Sequence, residues 1–236
     1  MAQAIVEIRR HSPANPWTYG MMDLRQREIA DRARGGGPGG LLISEVAPVI
    51  TLGRRTGAGD VVLPESVLRE KGVDLHTTDR GGMATYHGTG QWVVFAVDTL
   101  ERLTGDRRGV RKAVEALLEV GLEVGLSYDS SSHIREGTEV GVWTDNGKFA
   151  ACGVHIVDGV LLHGLAINAF KTPTSFLGIR PCGSDKPVEF LLKDPTEKAF
   201  LEMASRIEKS VFARFWEQGS LVAQAAQAEI GSSDRD

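Results

Sequence analysis

The chain has 236 residues, of which 42% are hydrophobic and 25% charged, and its formal net charge of −4 gives no electrostatic argument for a nucleic-acid partner. It contains two cysteines, too few for a disulfide scaffold. The first residues form no apolar run long enough for a signal peptide or a membrane span. We therefore expect a cytoplasmic protein without a membrane partner, in a reducing compartment that keeps both thiols reduced.

The first half of the chain alternates strand and helix signals around one glycine-rich segment. This segment, RGGMATYHGTGQ, runs from Arg80 to Gln91. A strand-like run follows it rather than a helix, so it lacks the context of a dinucleotide-binding or Walker motif. We expect strands at residues 4–10, 41–46, 49–52, 73–78 and 91–97, and helices at residues 19–34 and 64–71.

The middle of the second half combines a helix with two hairpins. Residues 110–124 carry apolar side chains at helical spacing. The dipeptides Asn146-Gly147 and Asp158-Gly159 are typical of two-residue hairpin turns. Together they predict three consecutive antiparallel strands.

The C-terminal part begins with a helix signal. Asp194 is a good N-cap and Pro195 a good first-turn residue for a helix over residues 195–218, and residues 231–236 should be disordered. The chain is therefore predicted to form a single α/β (α+β) domain over residues 1–230, with a mixed or antiparallel sheet flanked by helices.

The segment IRPCGSD places Cys182 between a proline and a glycine. Proline has no backbone N–H and glycine no side chain, so we expect this thiol on a turn where burial is difficult. There it is either a half-buried turn residue or a nucleophile. A nucleophilic thiol needs a cation or a base to bring its pKa below roughly 8.5, and Arg180 and Lys186 are the cations of this segment.

Lys148 follows the first hairpin turn and begins an apolar strand segment. It is either a solvated hairpin residue or a lysine held against a low-dielectric surface, where it can act as a base. Cys152 shares its strand face but lies about 13 Å away at strand rise, too far for direct contact. We therefore interpret Cys152 as a packed or pocket-lining residue.

Two histidines each precede a glycine that permits close approach of backbone to a ligand: His87 in YHGTG and His163 in LLHGLAIN. Each either faces a ligand or is a structural histidine bonded to backbone. The His, Cys, Asp and Glu residues show no metal-ligand spacing along the sequence, so we expect no metal.

Four segments resemble, in the same order, the signatures of the lipoyl(octanoyl) transferases. RGGMATYHGTGQ resembles the family's RGGQxTYHGPGQ, and GVWTDNGKFAACGVHI resembles its strand with the catalytic lysine. LLHGLAINAF resembles HGxALN, and IRPCGSD resembles the loop with the catalytic PCG. The resemblance spans residues 41–187. Met83 stands where glutamine is usual and Thr89 where proline is usual, which leaves the acyl-chain preference open.

This resemblance implies a biotin/lipoate protein ligase-like catalytic fold and a defined reaction. The enzyme would transfer an octanoyl or lipoyl group from acyl carrier protein to a lysine of lipoyl domains during lipoate biosynthesis, with no ATP or metal. The acceptors would be the E2 subunits of 2-oxoacid dehydrogenases and the glycine cleavage H protein. Cys182 would form the acyl-thioester, while Lys148 would lower the pKa of that thiol and act as acid and base.

The resemblance also implies a substrate pocket drawn from three segments. The pocket residues are Arg80, Gly81, Gly82, Met83, Ala84, Thr85, Tyr86 and His87, then Ala151, Cys152 and Gly153, then Gly164, Leu165 and Ala166. Because both protein partners have acidic surfaces in related systems, we also expect a basic rim. The residues available for this rim are Arg54, Arg55, Arg80, Arg180 and Lys186.

Three alternatives remain open on the sequence. An ATP-dependent lipoate or biotin ligase of the same fold needs no catalytic cysteine and typically has Asp after the motif histidine, where this chain has Gly88. A non-catalytic acyl- or lipoyl-domain-binding module would leave the cysteine inert. A related amidotransferase would move octanoyl between two lipoyl domains.

Overall fold

A computed structural model describes residues 4–180 and 187–217 of the chain. The strands in these residues form two sheets. Their bounds are β1 Ile5–Arg10, β2 Gly40–Glu45, β3 Val49–Leu52, β4 Asp74–Thr77, β5 Thr85–His87, β6 Gln91–Val97, β7 His133–Arg135, β8 Gly141–Thr144, β9 Gly147–Val157 and β10 Val160–Asn168.

The described helices lie between these strands and after them. Their bounds are α1 Tyr19–Arg34, α2 Glu65–Glu70, α3 Leu100–Thr104, α4 Val110–Leu126 and α5 Glu197–Phe212, with a 3-10 turn at Gly137–Glu139 and a π-helical turn at Ala213–Glu217. Within the described residues, no helix combines the length and the apolar composition needed to cross a membrane.

The large sheet is mixed and has the strand order β1-β2-β6-β10-β9-β8-β7. The β1–β2 pair is parallel, and every other pair in this sheet is antiparallel. Two hairpin turns connect β8 to β9 and β9 to β10, which confirms the three consecutive antiparallel strands. The second turn is the expected Asp158-Gly159, whereas the first is Asp145-Asn146, one residue before the expected Asn146-Gly147. The small sheet has the order β4-β3-β5, with β3 parallel to β4 and antiparallel to β5.

Side-chain alternation along β6 divides the core into two layers. Trp92 and Val94 point to the side that α4 and α5 cover, and Val93 and Phe95 point to the side of α1. Trp92 stacks on Phe200 of α5 with ring centroids 4.2 Å apart, and its indole N–H donates to the Phe200 carbonyl oxygen at 3.1 Å. The large sheet is therefore buried on both faces, which explains the uninterrupted apolar run of β6.

Some expectations differ from the structure at element ends. The C-terminal helix is capped by Thr196, whose hydroxyl accepts from the Ala199 N–H at 3.1 Å, so the expected cap at Asp194 is wrong. The sequence patterns did not reveal β5, β7 or α3. The expected disordered tail, residues 231–236, and the last residue of the expected helix over 195–218 lie outside the described residues, and the single-domain boundaries stay a prediction.

Candidate functional site

Arg80 anchors the glycine-rich segment to the small sheet. Its guanidinium is buried and donates to both the hydroxyl and the carbonyl oxygen of Thr51 in β3, each at 2.8 Å. The following residue, Gly81, donates its backbone N–H to the Val154 carbonyl of β9 at 3.0 Å. Arg80 thus binds backbone between the two sheets, and its expected place on a solvent-facing basic rim is wrong.

Two glycines allow the strands and the glycine-rich segment to approach closely. A Cβ on Gly153 of β9 would lie 2.9 Å from the Gly81 carbonyl oxygen. A Cβ on Gly164 of β10 would overlap the Val94 carbonyl oxygen of β6. Only glycine fits at these positions, because real Cβ atoms do not approach backbone oxygens so closely.

His87 lies on β5 and is held in one orientation. Its Nδ1 is 2.7 Å from the Gln91 side-chain oxygen, and its ring stacks on Tyr19 with centroids 5.3 Å apart. The Gln91 amide nitrogen donates to Asn168, so its oxygen accepts and the proton sits on Nδ1. Burial, together with the Arg80 charge, lowers the pKa of His87 to about 3. The imidazole is therefore neutral and presents Nε2 as an acceptor.

A second histidine, His163 of β10, organises polar groups around the Tyr19 hydroxyl. Its Nε2 lies 2.7 Å from an Asp79 carboxylate oxygen, and its Nδ1 lies 3.2 Å from the Tyr19 hydroxyl. Gln26 accepts its backbone N–H at 2.8 Å, which helps to hold this residue at a φ of 61°. The four side chains form one connected network that fixes the Tyr19 ring against His87.

Asp79 remains ionised in this network. Burial opposes the charge, but hydrogen bonds from His163 and Arg27 outweigh it and hold the pKa of Asp79 below its usual range. Burial also lowers the pKa of His163 despite its carboxylate partner. His163 is therefore a structural histidine whose two ring nitrogens are both engaged.

Asp23, Asp79 and His163 place three potential metal-ligand atoms within 4.8 Å of one another. Sequence spacing gave no sign of this cluster, because the three residues come from three separate elements. Arg27 forms ion pairs with both carboxylates, at 3.0 and 3.1 Å, and supplies the positive charge that they require. The cluster is accordingly an ion-paired support for His163.

Lys148 is the second residue of β9, and its side chain is half-buried. Its Nζ donates to the Val140 carbonyl oxygen at 2.6 Å and lies 5.7 Å from the centroid of the Trp143 ring. Its backbone pairs with the strand-like segment that follows Lys186: Lys148 N–H donates to Pro187, and Glu189 N–H donates to Lys148, both at 2.9 Å. This half-buried position differs from that of a solvated hairpin residue, and a role of Lys148 as a base stays a prediction.

Cys182 lies outside the described residues, so its distance from Lys148 stays a prediction. The segment that carries it is held on both sides. Before it, the Arg180 N–H donates to the Asp60 carbonyl oxygen at 2.9 Å. After it, Pro187 is the residue that pairs with Lys148. Cys182 is thus five positions in sequence from a residue hydrogen-bonded to Lys148.

Cys152, the other thiol, is half-buried in β9. Burial raises the pKa of the Cys152 thiol to about 12, although the Lys148 charge acts in the opposite direction. Such a thiol is protonated near neutral pH and is a poor nucleophile. Its interpretation as a pocket-lining residue agrees with its position.

A cavity of about 560 Å³ lies between the two sheets. It brings together every residue of the expected pocket except Tyr86, and Lys148 lines it as well. Alternation along β5 directs Thr85 and His87 into the cavity and Tyr86 away from it. The Tyr86 side chain is instead buried near Ile50, with its hydroxyl 2.9 Å from that of Thr174.

Sequence reasoning missed several residues of this cavity. Tyr19 reaches it from α1, and Thr138 and Val140 reach it from the 3-10 turn and the residue after it. None belongs to a segment with a recognisable motif. Only the cap at Thr18, which fixes where α1 begins, gave a local signal that bears on the position of Tyr19.

Comparison with known proteins agrees with this geometry. The sequence model of the lipoyl protein ligase A/B catalytic domain matches residues 19–199, which extends beyond residues 41–187 on both sides. An octanoyltransferase of Magnetococcus marinus is 37% identical over 182 residues, covering 75% of this chain and 81% of that protein. A mitochondrial octanoyltransferase of Arabidopsis thaliana is 33% identical over 174 residues, covering 73% of each chain.

Solved structures resemble the fold at low sequence identity. Protein Ta0514 from T. acidophilum matches with a TM-score of 0.62 and 13% identity, over 91% of this chain and 85% of that one. A lipoate-protein ligase A bound with ATP matches with a TM-score of 0.59 and 11% identity, over 95% and 93% of the two chains. These likenesses establish the expected ligase-like fold.

Proposed function

Because this chain belongs to the octanoyltransferases of the lipoyl protein ligase A/B catalytic domain family, we propose that it transfers an octanoyl or lipoyl group from acyl carrier protein to a lysine of a lipoyl domain. The observation that carries the proposal is the position of Lys148. This lysine lines the cavity that gathers the pocket residues, and its backbone is bonded to the segment that follows Cys182.

The first step is thioester exchange. Lys148 takes the proton of the Cys182 thiol, and the thiolate attacks the carbonyl carbon of the incoming thioester. A new C–S bond forms to Cys182 and the old C–S bond breaks. The departing carrier thiolate takes the proton back from Lys148, so the step begins and ends with a neutral amine. One thioester replaces another, and the free energy changes little.

The second step is aminolysis. The acceptor ammonium, with a pKa of about 10.4 in water, loses a proton to Lys148 before it attacks. The C–N bond forms, the C–S bond to Cys182 breaks, and the nitrogen loses a second proton. One of the two protons returns to the cysteine sulfur and the other reaches solvent. The amide is more stable than the thioester, so this step proceeds without ATP.

The cavity between the sheets would hold the acyl chain. Val93, Phe95 and Leu165 give it apolar walls, and the bare backbone of Gly153 and Gly164 leaves room for a chain of methylenes. Backbone N–H groups near Gly153 or Cys182 are the candidates for stabilising the tetrahedral oxyanion. Met83 lines the same cavity, which supports a role for this unusual residue of the motif in acyl-chain preference.

The acceptors in this proposal are lipoyl domains of 2-oxoacid dehydrogenase E2 subunits and the glycine cleavage H protein, and the compartment is the cytoplasm. The nearest competing function is an ATP-dependent ligase, because a lipoate-protein ligase A bound with ATP shares the fold. The two functions differ in their requirement for a nucleotide, so one experiment separates them.

The test is the intact mass of a lipoyl domain after incubation with the protein and octanoyl-acyl carrier protein, without ATP. We expect an octanoyl mass on the domain with wild type and Cys152→Ser, and none with Cys182→Ser or Lys148→Ala. Wild type should also carry a transient octanoyl adduct when the domain is left out. Transfer that requires ATP and free octanoate would replace this proposal with the ligase.

A further inference from the structure

Three exposed arginines lie on or beside the loop of residues 53–60, which follows β3. Arg54 and Arg55 belong to this loop, and the Arg180 backbone N–H donates to its Asp60 carbonyl oxygen at 2.9 Å. None of the three forms an ion pair with a carboxylate in residues 4–180 or 187–217, whereas several other exposed arginines do. In a chain with a net charge of −4, these arginines create a local positive region that favours an anion from outside the chain.

The backbone of this loop is held against the glycine-rich segment. Arg54 and Arg55 donate their backbone N–H groups to carbonyl oxygens of that segment, at 3.1 and 2.9 Å. The buried Asp60 carboxylate accepts from the Gly57 N–H at 3.1 Å and so closes the loop on itself. Because the backbone is already fixed, a ligand that binds here has to order little more than the arginine side chains.

Arg55 lies at the mouth of the cavity between the two sheets. Three of the described residues that line this cavity of about 560 Å³ are exposed, namely Arg55, Gly137 and Thr138, so the cavity opens to solvent beside them. Arg55 is the charged member of this set. No carboxylate of the described residues lines the cavity, so its wall offers the guanidinium no anionic partner there. A negatively charged group that reaches the mouth is therefore attracted to Arg55.

The acyl donor of the proposed reaction carries such a group. Acyl carrier protein holds its acyl chain on a pantetheine arm, and a phosphodiester joins the outer end of this arm to the protein. The apolar acyl end enters the cavity, so the phosphodiester stays toward solvent. A guanidinium binds phosphate oxygens through two parallel N–H donors, and this geometry combines charge with orientation. The chemistry of the donor thus matches the exposed cation at the mouth.

We infer that Arg55 binds the phosphodiester of the carrier's pantetheine arm, and that Arg54 adds positive charge from the same loop. This inference rests on the proposed function. Arg54 is held toward β9, because its Nη1 lies 3.4 Å from His155 Nε2, which accepts from the guanidinium. Arg55 is therefore the direct ligand of the phosphate. The lipoyl domain brings no phosphate, so the contact accelerates loading and leaves transfer unchanged.

The test compares two small donors that differ in the phosphodiester. One is octanoyl-pantetheine, and the other is the same thioester joined through a phosphodiester to N-acetylserine amide, which reproduces the attachment of the arm without the acidic protein. Rapid-quench mass spectrometry measures the second-order rate constant for loading with each donor. The variants are Arg55→Gln and Arg55→Lys. Arg108→Gln is the matched control, because Arg108 is exposed, forms no ion pair with a described residue and does not line the cavity.

We expect wild type to load about tenfold faster from the phosphodiester donor than from octanoyl-pantetheine, as one charged hydrogen-bonded contact provides. In Arg55→Gln the two donors should react within about twofold of each other, at the wild-type rate for octanoyl-pantetheine. Arg55→Lys keeps the charge without the parallel donors and should retain a preference of about threefold, which provides the measurement if the glutamine variant does not fold. Arg108→Gln should keep the full preference, and transfer to a lipoyl domain should be unchanged in every variant.

Equal loading of wild type from the two small donors would overturn the inference, and so would a phosphodiester preference that survives in Arg55→Gln. An equal loss with both donors in Arg55→Gln would show that Arg55 shapes the cavity instead. Loading from octanoyl-acyl carrier protein with neither small donor accepted would place recognition on the protein surface of the carrier, which also contradicts the inference. A wild-type protein that gains no octanoyl mass from any of the three donors would reject the proposed function itself.

Discussion

At the scale of single residues, the burial of His87 makes the free energy of unfolding depend on pH. The folded chain keeps this imidazole neutral down to about pH 3, whereas the unfolded chain protonates it below about 6.5. The unfolded state therefore binds more protons between these values, and the free energy of unfolding decreases as the pH falls through them. His163, whose pKa burial also lowers, contributes in the same direction.

We expect wild type to lose about 2 kcal/mol of unfolding free energy through His87 alone between pH 6.5 and 5. His87→Gln should be less stable at pH 7.5 and should show a shallower decrease on acidification. Urea unfolding at pH 7.5, 6.5 and 5 measures the stability of each protein and its decrease on acidification. Thr196→Ala, which removes a helix cap without removing a histidine, should keep the wild-type slope. If the unfolding free energy of His87→Gln decreased with pH as steeply as that of wild type, His87 would not be the source of the pH dependence.

The two thiols differ in reactivity for a physical reason. A Cys152 thiol with a pKa of about 12 contains almost no thiolate at pH 7.5, and only the thiolate reacts with iodoacetamide. We expect one fast alkylation in wild type and in Cys152→Ala, and no fast alkylation in Cys182→Ser. Intact mass against time measures the rates, and both thiols should react in urea. Fast alkylation of Cys152 in the folded protein would show that its thiol is not held in the protonated form.

At the scale of elements, the approach of α4 to the large sheet depends on glycine. A Cβ on Gly121 would lie 2.8 Å from Val142 Cγ2, and one on Gly125 would overlap the Phe149 ring. Gly20, in the first turn of α1, is different: the nearest atoms to its added Cβ are 3.8 Å away. The same substitution therefore has opposite consequences in the two helices.

We predict that Gly121→Ala lowers the free energy of unfolding by about 1–3 kcal/mol, because overpacking exceeds the gain in helix propensity. Gly20→Ala should raise it by about 0.5–1 kcal/mol, since the helix gains propensity without a clash. Chemical denaturation of the two variants beside wild type measures both changes. A stabilised Gly121→Ala would show that α4 does not pack as closely as described.

Helices and strands that carry a cap or an apolar run in their own sequence were predictable. Strands that are defined only by hydrogen bonding to another strand were not. Tyr19–Arg34 and Gln91–Val97 occupy the expected residues, because a cap and an apolar run mark them. The strand Thr85–His87 has only three residues inside a glycine-rich segment, so its pairing with β3 defines it. The resemblance supplied the segments expected at the pocket, but alternation along this short strand was needed to see that the Tyr86 side chain faces away from the cavity.

At the scale of the whole molecule, charge is distributed unevenly around the cavity. The net charge is −4, and several exposed arginines, among them Arg69, Arg107 and Arg111, are paired with carboxylates. Arg54 and Arg55 follow β3 and are exposed, and Arg55 lines the cavity between the two sheets. Arg180 is exposed and its backbone is bonded to Asp60 of the same loop. Arg55 thus brings positive charge to the cavity that would receive the acyl chain of the proposed carrier protein.

Electrostatic attraction of the acyl carrier protein by these arginines should therefore depend on the salt concentration and on whether the acyl donor is the carrier protein or a small thioester. We expect the double variant Arg54→Ala/Arg55→Ala to lower kcat/KM for octanoyl-acyl carrier protein about tenfold at low ionic strength, and to approach wild type as salt screens the charges. With octanoyl-pantetheine, which lacks both the phosphate and the acidic protein, the variant should match wild type. Arg111→Ala, an exposed and ion-paired arginine on α4, is the control. An equal loss with both donors would mean that the arginines shape the cavity rather than attract the carrier.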